Sequence, residues 1–309
     1  MELSSMSMII ENDYIREPLP FYGFERILGE DSQAKVTNLF TTKELYDDLK
    51  NTGAVIYRCF NDSLEEFNEI IKKHSSKVTF DPARKASTSN TAEINAGIFE
   101  MGLHQENGNL PFNPDLQWFY CLEAATKGSE TTLCDGQKVL FELPKEIRKM
   151  FEERNIRYTR RIPWANVQRF LSIELEIPVE KIDDSHLYQV NEMIEGQEYH
   201  RIDKNLISSS FTTSAISISP LSGKRSFCNS ILGPSVNYEP PKITWDNGEE
   251  IDLDIWDIVK EITAKNTYKH FWNKGDIIVI DNKRVMHGRC ALEDTQRRIF
   301  GAQSYIKEI

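Results

Sequence analysis

The sequence is poor in the features that would take it outside small-molecule chemistry. Its cysteines, Cys59, Cys121, Cys134, Cys228 and Cys290, are odd in number and scattered, and none belongs to a Cys-x-x-Cys pair. That pattern speaks for reduced thiols and against a disulfide framework or a zinc-thiolate site. Lysine and arginine never cluster in more than short groups, and the formal net charge is -11. A nucleic-acid backbone or an anionic membrane surface would be repelled rather than held, so neither is expected as a partner. No apolar stretch is long enough to span a bilayer, and "MELSSMSMIIENDYIRE" lacks a positive region followed by an apolar run. The expectation is a cytoplasmic protein acting on a small molecule, with its oligomeric state left open.

What is present is enough apolar material for a core: 39% of the residues are hydrophobic and 10% aromatic. The chain therefore reads as one domain over 1–309. Thr41 or Thr42 can cap "KELYDDLKN", and Ser63 with Glu66 makes a capping-box pattern ahead of "EEFNEIIKKH". "GAVIYRCF", "LQWFYCLEAA", "KRSFCNSI", "KGDIIVIDN" and "RRIFGAQSYI" read as strands. Helical spacing from residue 136 onward predicts a helical insertion around 136–200, and the loop-rich stretch around 232–250 is long enough for a lid.

Two isolated motifs stand out, "GLHQENGN" at 102–109 and "DNKRVMHGR" at 281–289. If the first is extended, His104 and Glu106 project from one face, because strand side chains alternate. An imidazole and a carboxylate so placed supply two ligands of a facial triad for Fe(II), and a histidine from a distant strand would supply the third. His287 follows a buried strand and a turn, which makes it the natural candidate. His74 ends a lysine-rich helix, and His186, His200 and His270 lie in polar surroundings. A keto acid bound at such a metal needs a cation for its far carboxylate, and arginine offers a planar fork suited to it. Arg297 and Arg298 stand at the start of the last strand, and neighbouring strand residues face opposite ways, so one of them should point inward.

The ordered set of His-x-acid, Gly-x-acid-Thr, Gly-Asp, Asp-Asn, His-Gly-Arg and Arg resembles the taurine/2-oxoglutarate dioxygenase (TauD/TfdA-like) family, which includes γ-butyrobetaine hydroxylase and, more distantly, clavaminate synthase. The resemblance runs from "GAVIYRCF" through "LHQENGNLPFNPDLQWFYCLEAATKGSETTLCDG" to "FWNKGDIIVIDNKRVMHGRCALEDTQRRI". It implies a mainly β fold with α decoration, a double-stranded β-helix or jelly roll with helices outside. It implies Fe(II) on His104, Glu106 and His287, with 2-oxoglutarate and O2 as co-substrates. It also implies Thr131 near the 2-oxoglutarate and the far carboxylate on the "RR" pair, where the comparison with γ-butyrobetaine hydroxylase favours Arg297 over Arg298.

The implied activity is oxidation of an unactivated C–H bond of an amino-acid-like or natural-product intermediate, releasing succinate and CO2. Hydroxylation is the default outcome; desaturation or cyclisation is the alternative. Glutamate in place of the commoner aspartate extends the same carboxylate, and it fills the space that chloride occupies in related halogenases. Four residues after the inward arginine, where taurine dioxygenase has a second arginine, this chain has Gly301 or Ala302, so a small sulfonate is a poor substrate expectation. Asn107, Asn109, Arg161, Trp164 and Asn229 are candidate pocket groups that could equally form turns or core contacts. A metal enzyme without a keto acid would share the His-Glu-His set but have no use for Thr131 or an inward arginine. A silent β-sandwich binding module would keep both histidines as structural groups.

Overall fold

Alternation along each strand decides which face meets which layer. In the computed structural model, which describes residues 9–11, 14–19, 23–29, 34–79, 90–94, 97–234 and 239–309, the central strands Ala54–Arg58, Ile277–Asp281, Leu116–Glu123 and Arg298–Tyr305 lie side by side in a nine-stranded sheet. Val55, Tyr57, Trp118, Tyr120, Ile277, Val279, Phe300 and Ala302 face outward and pack on the helices Thr42–Thr52 and Leu64–His74. Those helices begin where the sequence signals them: Thr41 and Ser63 each close a reciprocal capping box, with Glu44 and Glu66.

The residues between, Ala54, Ile56, Phe119, Cys121, Ile278, Ile280 and Ile299, face the other way. There they meet Leu133 and Val285, which belong to a second, four-stranded sheet of Thr267–His270, Thr131–Asp135, Val285–Arg289 and Met101–His104. Cys134 and Met286 on the far side of that sheet pack against Val139, Phe151 and Val259 from three helices. Two facing sheets with helices on both outer surfaces make the jelly-roll arrangement, and each buried Ile, Val, Leu or Phe side chain contributes about 1.5–3 kcal/mol to closing it. Among the described residues no helix is long and apolar enough to cross a membrane.

Two expectations change. The 136–200 segment is not purely helical: Ile156–Pro163 is a strand whose buried and exposed residues alternate, and it pairs with Leu206–Thr213 and Lys242–Trp245 in a separate sheet. Its sequence "IRYTRRIP" carries period-two burial that its helix-rich neighbours mask. The 232–250 stretch likewise contains the strand Lys242–Trp245, which pairs with Ile156–Pro163; residues 235–238 of the expected lid lie outside the described residues.

Candidate metal centre

The two histidines meet through sheet register. Met101–His104 and Val285–Arg289 run antiparallel with His104 opposite His287, and the two rings lie 4.3 Å apart between centroids. Gly102, two residues before His104, lets the Leu232–Gly233 backbone pack closely on this strand, since a Cβ there would fall 2.2 Å from the carbonyl oxygen of Leu232. His287 Nε2 is 3.4 Å from Glu106 Oε2, and one ligand atom from each of His104, Glu106 and His287 can be chosen so that all lie within 4.8 Å of one another.

Glu106 reaches this point by a different route from strand alternation. The strand ends at His104, and Glu106 sits in the turn that follows. Asn282 grips it there: Asn282 Oδ1 accepts the Glu106 N–H at 2.8 Å, and Asn282 Nδ2 donates to the Glu106 carbonyl at 3.1 Å and to the Pro114 carbonyl at 2.8 Å. Asn113 Nδ2 donates to the same Glu106 carbonyl at 2.7 Å. Gln105 Nε2 in turn donates to the Asn282 carbonyl at 2.9 Å, and Ser230 Oγ to the Gln105 carbonyl at 2.8 Å. In the sequence "DN" is only part of a pattern; in the fold its asparagine is a clamp on the carboxylate-bearing turn.

These donors suit a divalent metal ion. His104 Nδ1 lies 2.9 Å from the Gly102 carbonyl, which can only accept, so that nitrogen carries the proton and Nε2 keeps its lone pair for a metal. His287 Nδ1 is buried with no hydrogen-bond partner, and Nε2 is farther from Glu106 than a good hydrogen bond allows. An ion between the three groups would take up the Nε2 lone pair, which Glu106 does not satisfy. Two imidazoles and one carboxylate on one side match the facial set that Fe(II) oxygenases use, with positions left open.

The cavity beside them is lined by Ile94, Met101, Phe119, Thr131, Arg289, Arg297 and Ile299 along with the three candidate ligands. Arg297 is buried and donates to the Ser129 carbonyl at 3.3 Å, whereas Arg298 is half exposed, bridges to Glu93 and lies over the Phe300 ring. The Thr131 hydroxyl accepts from the Trp272 indole at 3.0 Å, which leaves its own proton to give away. Trp272 meets the His270 ring edge to face, and His270 contacts buried Asp276 at 3.0 Å. Burial holds His270 below the ordinary histidine range despite that carboxylate. Asp276 is pushed up by burial too, but hydrogen bonds from His270, Arg58 and the Asn273 N–H outweigh this and hold it below the usual carboxylate range. Trp272, Met101 and Phe119 had no signal in the sequence beyond being apolar.

The five candidate pocket groups separate. Asn107 and Asn109 are buried beside Glu106, and Asn107 has a left-handed backbone (φ 55°) with Nδ2 donating to Gln303 Oε1 at 3.2 Å. Asn229 is a turn former: its side chain accepts from the Ile231 N–H and donates to the Ala215 carbonyl. Arg161 points out of its strand, mostly exposed and paired with Glu239, while its neighbour Arg160 is the buried one. Trp164 is partly buried, under the guanidinium of Arg201 at 4.0 Å. Arg161 is thereby corrected to a surface charge, since adjacent strand residues face opposite ways.

The model of the family described as "Taurine catabolism dioxygenase TauD, TfdA family" matches residues 17–303. The dapdiamide synthesis protein DdaC of Enterobacter agglomerans is 23% identical over 294 residues, spanning 86% of this chain and 87% of its own. Among solved structures, PvcB of Pseudomonas aeruginosa superposes with a TM-score of 0.60 at 13% identity, over 98% of this chain and 93% of its own. A taurine dioxygenase from Burkholderia xenovorans does so with a TM-score of 0.60 at 12% identity, over 96% and 91%. PvcB is described as an iron, α-ketoglutarate-dependent oxygenase from an isonitrile synthetic pathway.

Proposed function

We propose, from the premise that this chain belongs to the TauD, TfdA family and is an Fe(II)- and 2-oxoglutarate-dependent dioxygenase, that it oxidises a C–H bond of a small amino-acid-like or biosynthetic intermediate, with His104, Glu106 and His287 holding the iron. The observation that carries the assignment of ligands is the convergence of two imidazoles and one carboxylate, within 4.8 Å, on the cavity that Thr131 and Arg297 also line. When bound, the iron with 2-oxoglutarate and O2 supplies the oxidising chemistry, and 2-oxoglutarate leaves as succinate and CO2.

The chain's own residues bind and orient. Arg297 offers its fork to the far carboxylate of 2-oxoglutarate, and burial makes that contact strong. Thr131, its oxygen already engaged by Trp272, donates its hydroxyl proton to the same co-substrate. Arg298 stays outside and takes no part. Ile94, Met101, Phe119 and Ile299 keep water from the reacting centre. Hydroxylation is the simplest outcome; desaturation and cyclisation differ only in the fate of the oxidised substrate.

The names of DdaC and PvcB place those relatives in biosynthesis, which supports a biosynthetic intermediate over a sulfonate nutrient here. We read residues 1–309 as one catalytic domain, and the scattered free thiols suit the cytoplasm. Succinate release measured across a panel of amino acids and their acyl derivatives, with and without Fe(II), tests the proposal. Release that needs iron and rises with one panel member supports it; iron-independent release, or none with 2-oxoglutarate under any condition, counts against it.

A further inference from the structure

Two neighbouring strands that help to line the cavity run on beyond it. On Leu116–Glu123, Phe119 lines the cavity, and Gln117 lies two residues away on the same face. On Arg298–Tyr305, Ile299 lines it, and Gly301 and Gln303 follow on that face. Gln117 and Gln303 are direct cross-strand partners. Asn107, next to Glu106, donates from Nδ2 to Gln303 Oε1 at 3.2 Å. Three primary amides are thus gathered on the far side of the metal-binding turn, about 20 Å along the strand from Arg297 at ~3.3 Å per residue.

All three are buried, and Gln117 is only 1% exposed. Its Nε2 donates to the Trp118 carbonyl at 3.2 Å. Because a carbonyl can only accept, this contact fixes which end of the amide is which. The other end, Gln117 Oε1, is a buried acceptor with no donor. Gly301 stands between the cavity and the amide: a Cβ there would lie 3.0 Å from Ile94 Cδ1, which lines the cavity, and 3.5 Å from Gln117 Nε2. Among the described residues the cations lining the cavity are Arg289 and Arg297, and Arg289 Nη2 is engaged by the Gly97 and Phe99 carbonyls at 2.9 and 2.6 Å.

We propose that this amide cluster is the recognition site for the substrate to be oxidised, and that it takes a carboxamide, whose N–H donates to Gln117 Oε1. An acceptor buried without a donor is costly, and a ligand that supplies one removes the cost on binding. A carboxylate would set its own lone pairs against that oxygen. The proposal rests on the oxygenase reading above and extends it to a substrate class.

The test uses the full-length protein loaded with Fe(II) and 2-oxoglutarate without oxygen, titrated with isosteric pairs: L-glutamine against L-glutamate, L-asparagine against L-aspartate, and their N-acyl derivatives. The readout is the concentration at which each compound shifts the visible absorbance of the complex. The expected result is a carboxamide that acts at a concentration about tenfold or more below its carboxylate partner, the scale of 1.4 kcal/mol. Gln117→Leu should erase that preference, and Gln117→Met serves if Gln117→Leu fails to fold. Without ligand, the variant should melt no lower than the wild type, since it removes an unpaired acceptor. Carboxylates binding as well or better, no carboxamide responding, a preference that survives in the variant, or a melting temperature several degrees lower would each overturn the proposal. If the wild type forms no Fe(II)–2-oxoglutarate absorbance at all, the oxygenase reading fails first and takes this one with it.

Discussion

His104 and His287 come together by a route unlike that of Glu106. The histidines are cross-strand partners, so the ladder that builds the sheet also sets their spacing. Glu106 lies beyond the strand end, in a turn with no ladder to hold it, and Asn282 and Asn113 take over by binding its backbone N–H and carbonyl. A ligand carried by register is as rigid as the sheet, whereas one carried by a turn is only as rigid as its clamp. The carboxylate should therefore be the ligand most easily displaced by changes that leave the fold intact.

Removing a ligand gives the largest effect. His104→Ala, His287→Ala or Glu106→Ala should abolish iron-dependent succinate release while circular dichroism and melting stay near wild type, because three protein ligands leave no spare. Next comes Arg297→Ala, which leaves the far carboxylate of 2-oxoglutarate buried without its partner, a loss of about 3–5 kcal/mol. The apparent 2-oxoglutarate affinity should then fall by about two to three and a half powers of ten. Arg298→Ala, on the exposed side, should cost about 0–1 kcal/mol. Reversal of that order in the 2-oxoglutarate dependence of succinate release would move the role to Arg298.

Asn282→Ala sharpens the comparison directly. It should weaken Fe(II) binding about 10–100-fold, the scale for residues that orient a metal ligand. In a Glu106→Ala background it should add almost nothing to that loss, since the clamp would have no carboxylate left to hold. Competition with a chelator measures both, and additive losses would show that Asn282 acts on the fold instead.

A further effect, outside the site, concerns the scaffold. His74 is buried against Trp118, with Nδ1 3.0 Å from Thr42 Oγ1, and burial together with Lys73 and Lys307 lowers its pKa to about 4. The unfolded chain takes up this proton near pH 6.5 and the folded chain only near pH 4, so stability is full above the first value and declines as pH falls toward the second. The slope approaches ~1.4 kcal/mol per pH unit inside that window. His74→Gln should flatten that limb in urea-unfolding curves taken across the same range.

The residues legible in advance were those whose position follows from chain periodicity. Strand alternation and capping boxes announced the central strands and the two N-terminal helices; the period of two said that only one of Arg297 and Arg298 points inward, and the family resemblance was needed to favour Arg297. The His-Glu-His set was found by its spacing, yet the reason first given for Glu106, extended backbone, was a local rule applied one turn too far. Asn282, Trp272 and the Gln117–Gln303 pair could not be foreseen, because each works through a partner far away in sequence. Arg161 could not be assigned a face in advance because the strand Ile156–Pro163 lies hidden between helices, and a missed strand loses the face assignment with it.

The central claim is that His104, Glu106 and His287 form one iron site served by 2-oxoglutarate. An oxygen-free titration of the metal-free protein with Fe(II) and then 2-oxoglutarate, followed by visible absorbance, tests it most directly. The expected result is a band that requires both additions, saturates at one iron per chain, and is lost in His104→Ala and His287→Ala. A band that persists in either variant, or iron bound tightly in a form that 2-oxoglutarate leaves unchanged, would contradict the claim.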